Sequence, residues 1–86
     1  MFEKMNVKEI VDKIDEIKNK EKFYTTKDWK WCISLHYCKW AIIKKWNVII
    51  SYRHETVVEK AFRKYEDALR FYEQCVQEIK RRYEDV

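Results

Sequence analysis

The sequence predicts an α+β fold: an N-terminal helix, a three-stranded antiparallel sheet and a long C-terminal helix, in one domain over residues 1–86. Two periodicities carry this. Apolar residues recur at helical spacing at both ends of the chain and alternate with period 2 in its middle. A third observation constrains the connections. The chain has no Gly and no Pro, so its turns must be short, built from ordinary residues, and unable to form a glycine-rich phosphate cradle.

The first helix is read from Val7, Ile10, Val11, Ile14 and Ile17, which share one face while Lys8, Glu9, Asp12, Lys13, Asp15 and Glu16 occupy the other. Asn6 is a suitable N-cap with Glu9 three residues on, and the pattern dissolves after Asn19 and Lys20. A strand follows over 29–37, where Trp29, Trp31, Ile33, Leu35 and Tyr37 alternate with Lys30, Cys32, Ser34 and His36. A short second strand is expected over about 40–44 and a third over 46–53, with turns near Cys38 and Lys39 and over 44–47. Both helices are expected on one face of this sheet.

The last third admits two readings. Val58, Ala61, Phe62, Tyr65 and their successors to Tyr83 hold one helical face, and Thr56 with Glu59 resembles a capping box, so one helix from about 57 to 83 is expected. The rival makes 57–62 a fourth strand and starts the helix at Tyr65, with Lys64 a poor N-cap.

Charge is distributed unevenly. Residues 1–28 hold 7 basic and 7 acidic side chains, 29–54 hold 5 and 0, and 55–86 hold 7 and 8, so the net +4 arises entirely in the middle. That block also contains all four Trp and both His. Trp31 and Trp46 are phased with aliphatic residues and belong to the core; Trp29 and Trp40, beside Lys30 and Lys39, suit exposure. The candidate partner-binding residues are therefore Trp29, Lys30, Lys39, Trp40, Lys44, Lys45, Arg53 and His54. Such a set suits an acidic protein, a ribonucleoprotein or a nucleic acid, since exposed Trp beside cations serves interfaces and base stacking alike.

Chemistry is not indicated. Cys32 and His36 on one strand would stand about 13 Å apart, too far to share a metal, and no nucleophile, base and orienting group can be assigned together. No catalytic residue, metal or cofactor is expected. Cys75 lies on the apolar stripe of the long helix as a small hydrophobe. Three cysteines without dense spacing point to reduced thiols. Glu3, Lys4, Lys8 and Glu9 interrupt any leader-like apolar run, so a soluble intracellular protein with no membrane partner is expected.

Three segments carry a family resemblance: Met5, Asn6 and Val7 leading into a helix that closes with Ile17, Lys18, Asn19 and Lys20; Val48, Ile49, Ile50 and Ser51; and Glu55, Thr56, Val57, Val58, Glu59 and Lys60 opening the next helix. In these the chain resembles the small phage-encoded anti-CRISPR proteins, the αβββα inhibitors of type II RNA-guided nucleases. The resemblance implies a stoichiometric, non-catalytic inhibitor of a host defence nuclease, working in the cytoplasm of an infected bacterium. Those inhibitors are acidic DNA mimics, whereas this chain has a basic middle, so mimicry is not implied with the fold. The alternative is a small nucleic-acid-binding regulatory domain that uses a basic aromatic sheet face. A homodimer is also expected, joined by unpaired sheet edges or by the helix around 72–83.

Overall fold

The computed structural model describes residues 6–83. Met5, part of the resemblance above, lies outside them. Six elements follow in order: α1 (Val7–Lys20), β1 (Lys22–Thr25), β2 (Trp31–Tyr37), β3 (Trp46–Tyr52), β4 (Glu55–Phe62) and α2 (Tyr65–Tyr83). The fold is α+β, with a four-stranded antiparallel sheet in the order β1-β2-β3-β4.

Helix α1 starts as its sequence dictates. Asn6 is extended and its Oδ1 accepts the Glu9 N–H at 2.8 Å, while Lys18 and Lys20 complement the dipole in the last turn. Glu21 then ends the helix and accepts the Tyr37 N–H at 3.0 Å through Oε2, tying α1 to the sheet.

The sheet corrects the expected three strands in three places. Residues 22–25 form β1, a four-residue edge strand that was not anticipated. Residues 40–44 are no strand; they lie in a loop whose neck is closed by the Cys38 N–H donating to the Lys45 carbonyl at 2.6 Å. Residues 55–62 are β4, so the helix does not begin near 57. The local pattern misleads there because a register shift opposite Ile50 and Ser51 leaves Val57 as an extra residue, which breaks the period-2 alternation. Thr56, Val57 and Val58 are β-branched and suit the pleat. Helix α2 instead begins at Tyr65 with Glu66 and Asp67 in its first turn, whose charges favour the N-terminal end of the dipole.

Only α2 covers the sheet. The register aligns Tyr24, Ile33, Ile50 and Val58 in one row and Lys22, Leu35, Val48 and Lys60 in the next, and α2 lays Ala68, Tyr72 and Ile79 over them. Ile33, Leu35 and Val48 are fully buried. Trp31 and Trp46 pack against this core as expected: Trp31 lies 4.8 Å from Tyr52 and 5.6 Å from Tyr83, and Trp46 lies 5.2 Å from Tyr37 and 4.9 Å from Tyr65. Helix α1 does not join it. None of its residues is buried, and it extends a body whose long dimension is 53 Å against 23 and 22 Å across. The expectation that both helices pack on one sheet face fails because β1, not α1, follows the first helix into the sheet and α1 is left at its end.

Strand β4 is the long exposed edge, eight residues with Val57 57% and Val58 39% exposed. Lys60 guards it. Its Nζ lies 5.1 Å from the Phe71 ring and 5.5 Å from that of Phe62, placing a charge on the helix-covered side of the edge, where an incoming strand would have to desolvate it. This weighs against dimerisation through sheet edges. The wild-type protein is expected to show the mass of one chain by light scattering, whereas Lys60→Val, with a contiguous apolar edge, is expected to self-associate. A Lys60→Val protein that stays monomeric would show that β4 needs no such guard.

Candidate functional site

The structure divides the eight candidate residues into two groups of four. Trp29 and Lys30 lie in the β1–β2 turn and Arg53 and His54 in the β3–β4 turn, at one end of the sheet. Lys39, Trp40, Lys44 and Lys45 lie in the β2–β3 loop at the other end. Seven-residue strands separate the two ends by about 20 Å. The uncovered sheet face between them presents Phe23, Thr25, Cys32, Ser34, His36, Asn47, Ile49 and Ser51, with Glu59 and Ala61 on β4 and no Lys or Arg in any of these rows. The positive charge therefore sits at the ends of the sheet, not on its face.

At the turn end the backbone is held by a dense hydrogen-bond set. Buried Thr26 donates its hydroxyl to Asp28 Oδ1 at 2.7 Å and accepts the Trp31 N–H at 3.1 Å through the same oxygen. Asp28 Oδ1 also accepts the Lys30 N–H at 3.1 Å, and Trp29 N–H donates to the Thr26 carbonyl at 3.0 Å. The Thr26 hydroxyl, the Lys30 N–H and the Lys30 charge together hold the Asp28 carboxyl below its usual range. Across the gap, Arg53 N–H donates to the Lys30 carbonyl at 2.8 Å, locking the two turns into one unit.

That unit contains every positive-φ residue among those described: Trp29 (φ 63°), Arg53 (φ 50°) and His54 (φ 71°). A two-residue hairpin with both residues at φ > 0 normally takes Asn-Gly, because the left-handed region costs a side-chain-bearing residue about 1–2 kcal/mol. His tolerates it better than most; Trp is an outlier. Trp29 is nonetheless 62% exposed, so no packing inside the molecule repays its strain. Local strain concentrated on an exposed aromatic, an Arg and a His is the pattern of a contact surface.

The last turn of α2 reaches the same end. Tyr83 and residues 26–28 border one small cleft, and Lys80 Nζ lies 5.4 Å from the Tyr24 ring. Arg81 and Arg82 are both paired with Glu78, which holds its carboxyl down to about 2 and offsets much of their charge. The other cations at this end are Lys27, Lys30 and Arg53, with Lys80 beside them.

At the loop end, Trp40 is 84% exposed, Ile42 90% and Ile43 58%. Lys39 Nζ lies 5.1 Å from the Trp40 ring, and half-buried Lys45 lies 5.8 Å from that of Tyr37. The exposure of Ile42 and Ile43 was not foreseen, because a strand over 40–44 would have placed alternate residues inward. Three elements of the chemical reading can be placed as well. Cys32 and His36 lie on the open face of β2, and no group of three or more His, Cys, Asp or Glu side chains converges among the described residues. Burial raises the Cys75 thiol pKa, with Lys60 opposing, so this half-buried cysteine is a poor nucleophile at neutral pH. No helix of the described residues is long and apolar enough to cross a membrane.

Comparison with protein-family models, curated proteins and solved structures finds no match for this chain.

Two outcomes follow from the turn geometry. Trp29→Gly removes left-handed strain at an exposed position and is expected to leave thermal stability unchanged or raised while weakening partner binding; a drop of several degrees in Tm would mean that Trp29 is structural. The pairing at Glu78 sets a pH dependence. Because its pKa is depressed from 4.5 to about 2, its contribution to the end of α2 is complete above about pH 4.5 and is lost as pH falls through about 2. A carboxyl-carbon NMR titration is expected to show that low midpoint moving upward with added salt, since the pair is fully solvent-exposed.

Proposed function

We propose that this protein is a non-catalytic binder that acts by stoichiometric occupation of an acidic surface on a protein or ribonucleoprotein, with Trp29, Lys30, Arg53 and His54 as the contact group. The observation that carries this is the turn unit itself. An exposed Trp and the positive-φ pair Arg53 and His54 are fixed by Thr26, Asp28 and one inter-turn hydrogen bond. Pre-organisation of this kind lowers the entropy lost on binding, and Trp with Arg is the usual energetic centre of a protein interface.

Inhibition of an RNA-guided defence nuclease, the function implied by the resemblance in sequence, is one form such occupation takes. Of the segments carrying that resemblance, Asn6 and Val7 open α1 and Val48, Ile49, Ile50 and Ser51 lie in β3, but 55–60 is strand rather than the start of a helix. The surface is therefore the stronger support.

Direct nucleic-acid binding is the second reading, favoured by the gathering of Lys30, Arg53 and Lys80 around an exposed aromatic. Against it, the open sheet face offers no Lys or Arg with which to track a phosphate backbone. Salt separates the two. With a purified nuclease ribonucleoprotein, its guide RNA alone and a single-stranded oligonucleotide as probes, the binder reading expects saturation at a fixed molar ratio on the protein-containing complex. It also expects a weak salt dependence and loss of binding on Trp29→Gly or Arg53→Glu. Equal binding of the naked strands, with log K falling by about 0.9 per phosphate contact against log salt, would replace it with the second reading.

A further inference from the structure

The end of the molecule opposite the turn unit carries an apolar surface that nothing in the chain covers. On α1, Val7 is 77%, Val11 46% and Ile14 47% exposed, although they form the apolar stripe of an amphipathic helix. A 14-residue helix has little stability of its own in water, and here its stripe finds no core. Trp40 of the β2–β3 loop stands beside it, and Ile42 and Ile43 of the same loop are also exposed. The two do not form a flat patch. Ile14 and Ile17 face Tyr37, Cys38, Lys39 and Trp40 across a cleft of about 750 Å³.

Charge identifies what fits the cleft. At 3.6 residues per turn, Lys13 and Lys18 flank Ile14 and Ile17 on α1, Asp15 borders the stripe on the Val11 side, and Glu9, Asp12 and Glu16 lie on the opposite side of the helix. Across the cleft Lys39 lines the wall, Lys44 and Lys45 follow in the same loop, and the whole segment 29–54 contains no Asp or Glu. None of Lys13, Lys18, Lys39, Lys44 and Lys45 is in an ion pair among the described residues. The rim therefore carries lysines on both sides of an apolar floor, with the Glu21 carboxylate, bound to the Tyr37 N–H, at its edge. A second copy is a poor occupant, because pairing this end with itself sets lysines against lysines. A bilayer is also disfavoured: the surface is concave, and α1 as a whole carries four acidic residues against four lysines.

We propose that the cleft between α1 and the β2–β3 loop is a docking site for an acid-flanked amphipathic helix of a partner protein, its apolar residues set between Ile14, Ile17 and Trp40 and its carboxylates against Lys13, Lys18, Lys39 and Lys44. This is helix-in-groove recognition, and it is independent of the turn unit, which lies at the far end of the strands. Occupation would bury the apolar stripe of α1 that the free chain leaves in water.

The test uses four probes with the full-length protein: a synthetic 20-residue helix with a Leu stripe flanked by Glu, the same helix flanked by Lys, a scramble of the first that destroys the stripe, and vesicles containing anionic lipid. Calorimetry is expected to show one-to-one binding of the Glu-flanked helix only. Affinity is expected to fall about tenfold with Trp40→Ala or Ile14→Glu and to be unchanged by Trp29→Gly at the other end. Lys39→Glu with Lys44→Glu, which touch no core residue and leave α1 intact, are expected to reverse the preference toward the Lys-flanked helix. The proposal is overturned if the Glu- and Lys-flanked helices bind equally, if no peptide binds, or if vesicles bind while peptides do not. It is also overturned if light scattering shows a dimer that Ile14→Glu dissociates.

Discussion

Everything else in this molecule depends on α2 lying across the rows formed by β2 and β3. Ile33, Leu35 and Val48 are removed completely from water only because Ala68, Tyr72 and Ile79 close over them. Truncating such a residue to Ala costs about 2–5 kcal/mol, against about 5–15 kcal/mol for a whole domain. A chain of this size has one such layer, and all of its covering capacity is spent on one sheet face. The other face, the β4 edge and α1 must therefore be tolerated in water by other means: polar side chains around Phe23 and Ile49 on the face, Lys60 at the edge and a projecting helix at the end.

The absence of glycine sharpens the same constraint. Two of the three hairpin connections adopt left-handed backbone without the residue that adopts it cheaply, and both lie at one end of the sheet. The network around Thr26 and Asp28 and the Arg53 to Lys30 hydrogen bond compensate for that cost locally. Asn or Gly would meet the geometric need with less strain. Retaining Trp, Arg and His there is understandable if the side chains themselves are what the turn exists to present, since strained positions persist where the strain has a use.

Most of the fold was legible from two periodicities. Helix α1 with its Asn6 cap, strands β2 and β3, and the inward phase of Trp31 and Trp46 follow directly from spacing. What was not legible has physical causes. The bulge at Val57 removed the alternation of β4 and left Val58, Ala61 and Phe62 at helical intervals by coincidence. Strand β1 is four residues long, too short to show a period. The apolar residues Ile42 and Ile43 suggested a strand, yet they are exposed in the β2–β3 loop, and only the three-dimensional arrangement shows Trp40 of that loop facing Ile14 and Ile17 of α1. Seven of the eight candidate residues are exposed and Lys45 is half-buried, but sequence could not show that the same block reaches both ends of a hairpin.

That division into two ends governs how the charge works. The acid-free block looks like a single basic segment in sequence, yet its cations are split across about 20 Å of strand, more than twice the Debye length of about 8 Å at physiological ionic strength. The two ends therefore contribute little to each other's local potential, and each draws only two or three cations and one exposed Trp from the block itself. Neither set is large enough for binding dominated by phosphate neutralisation, where six to ten contacts are typical. Shape and apolar anchoring must supply the remainder. A rigid turn presenting Trp29 and an uncovered cleft floored by Ile14 and Trp40 are the two places where this chain provides both, and β2 and β3 fix the distance between them.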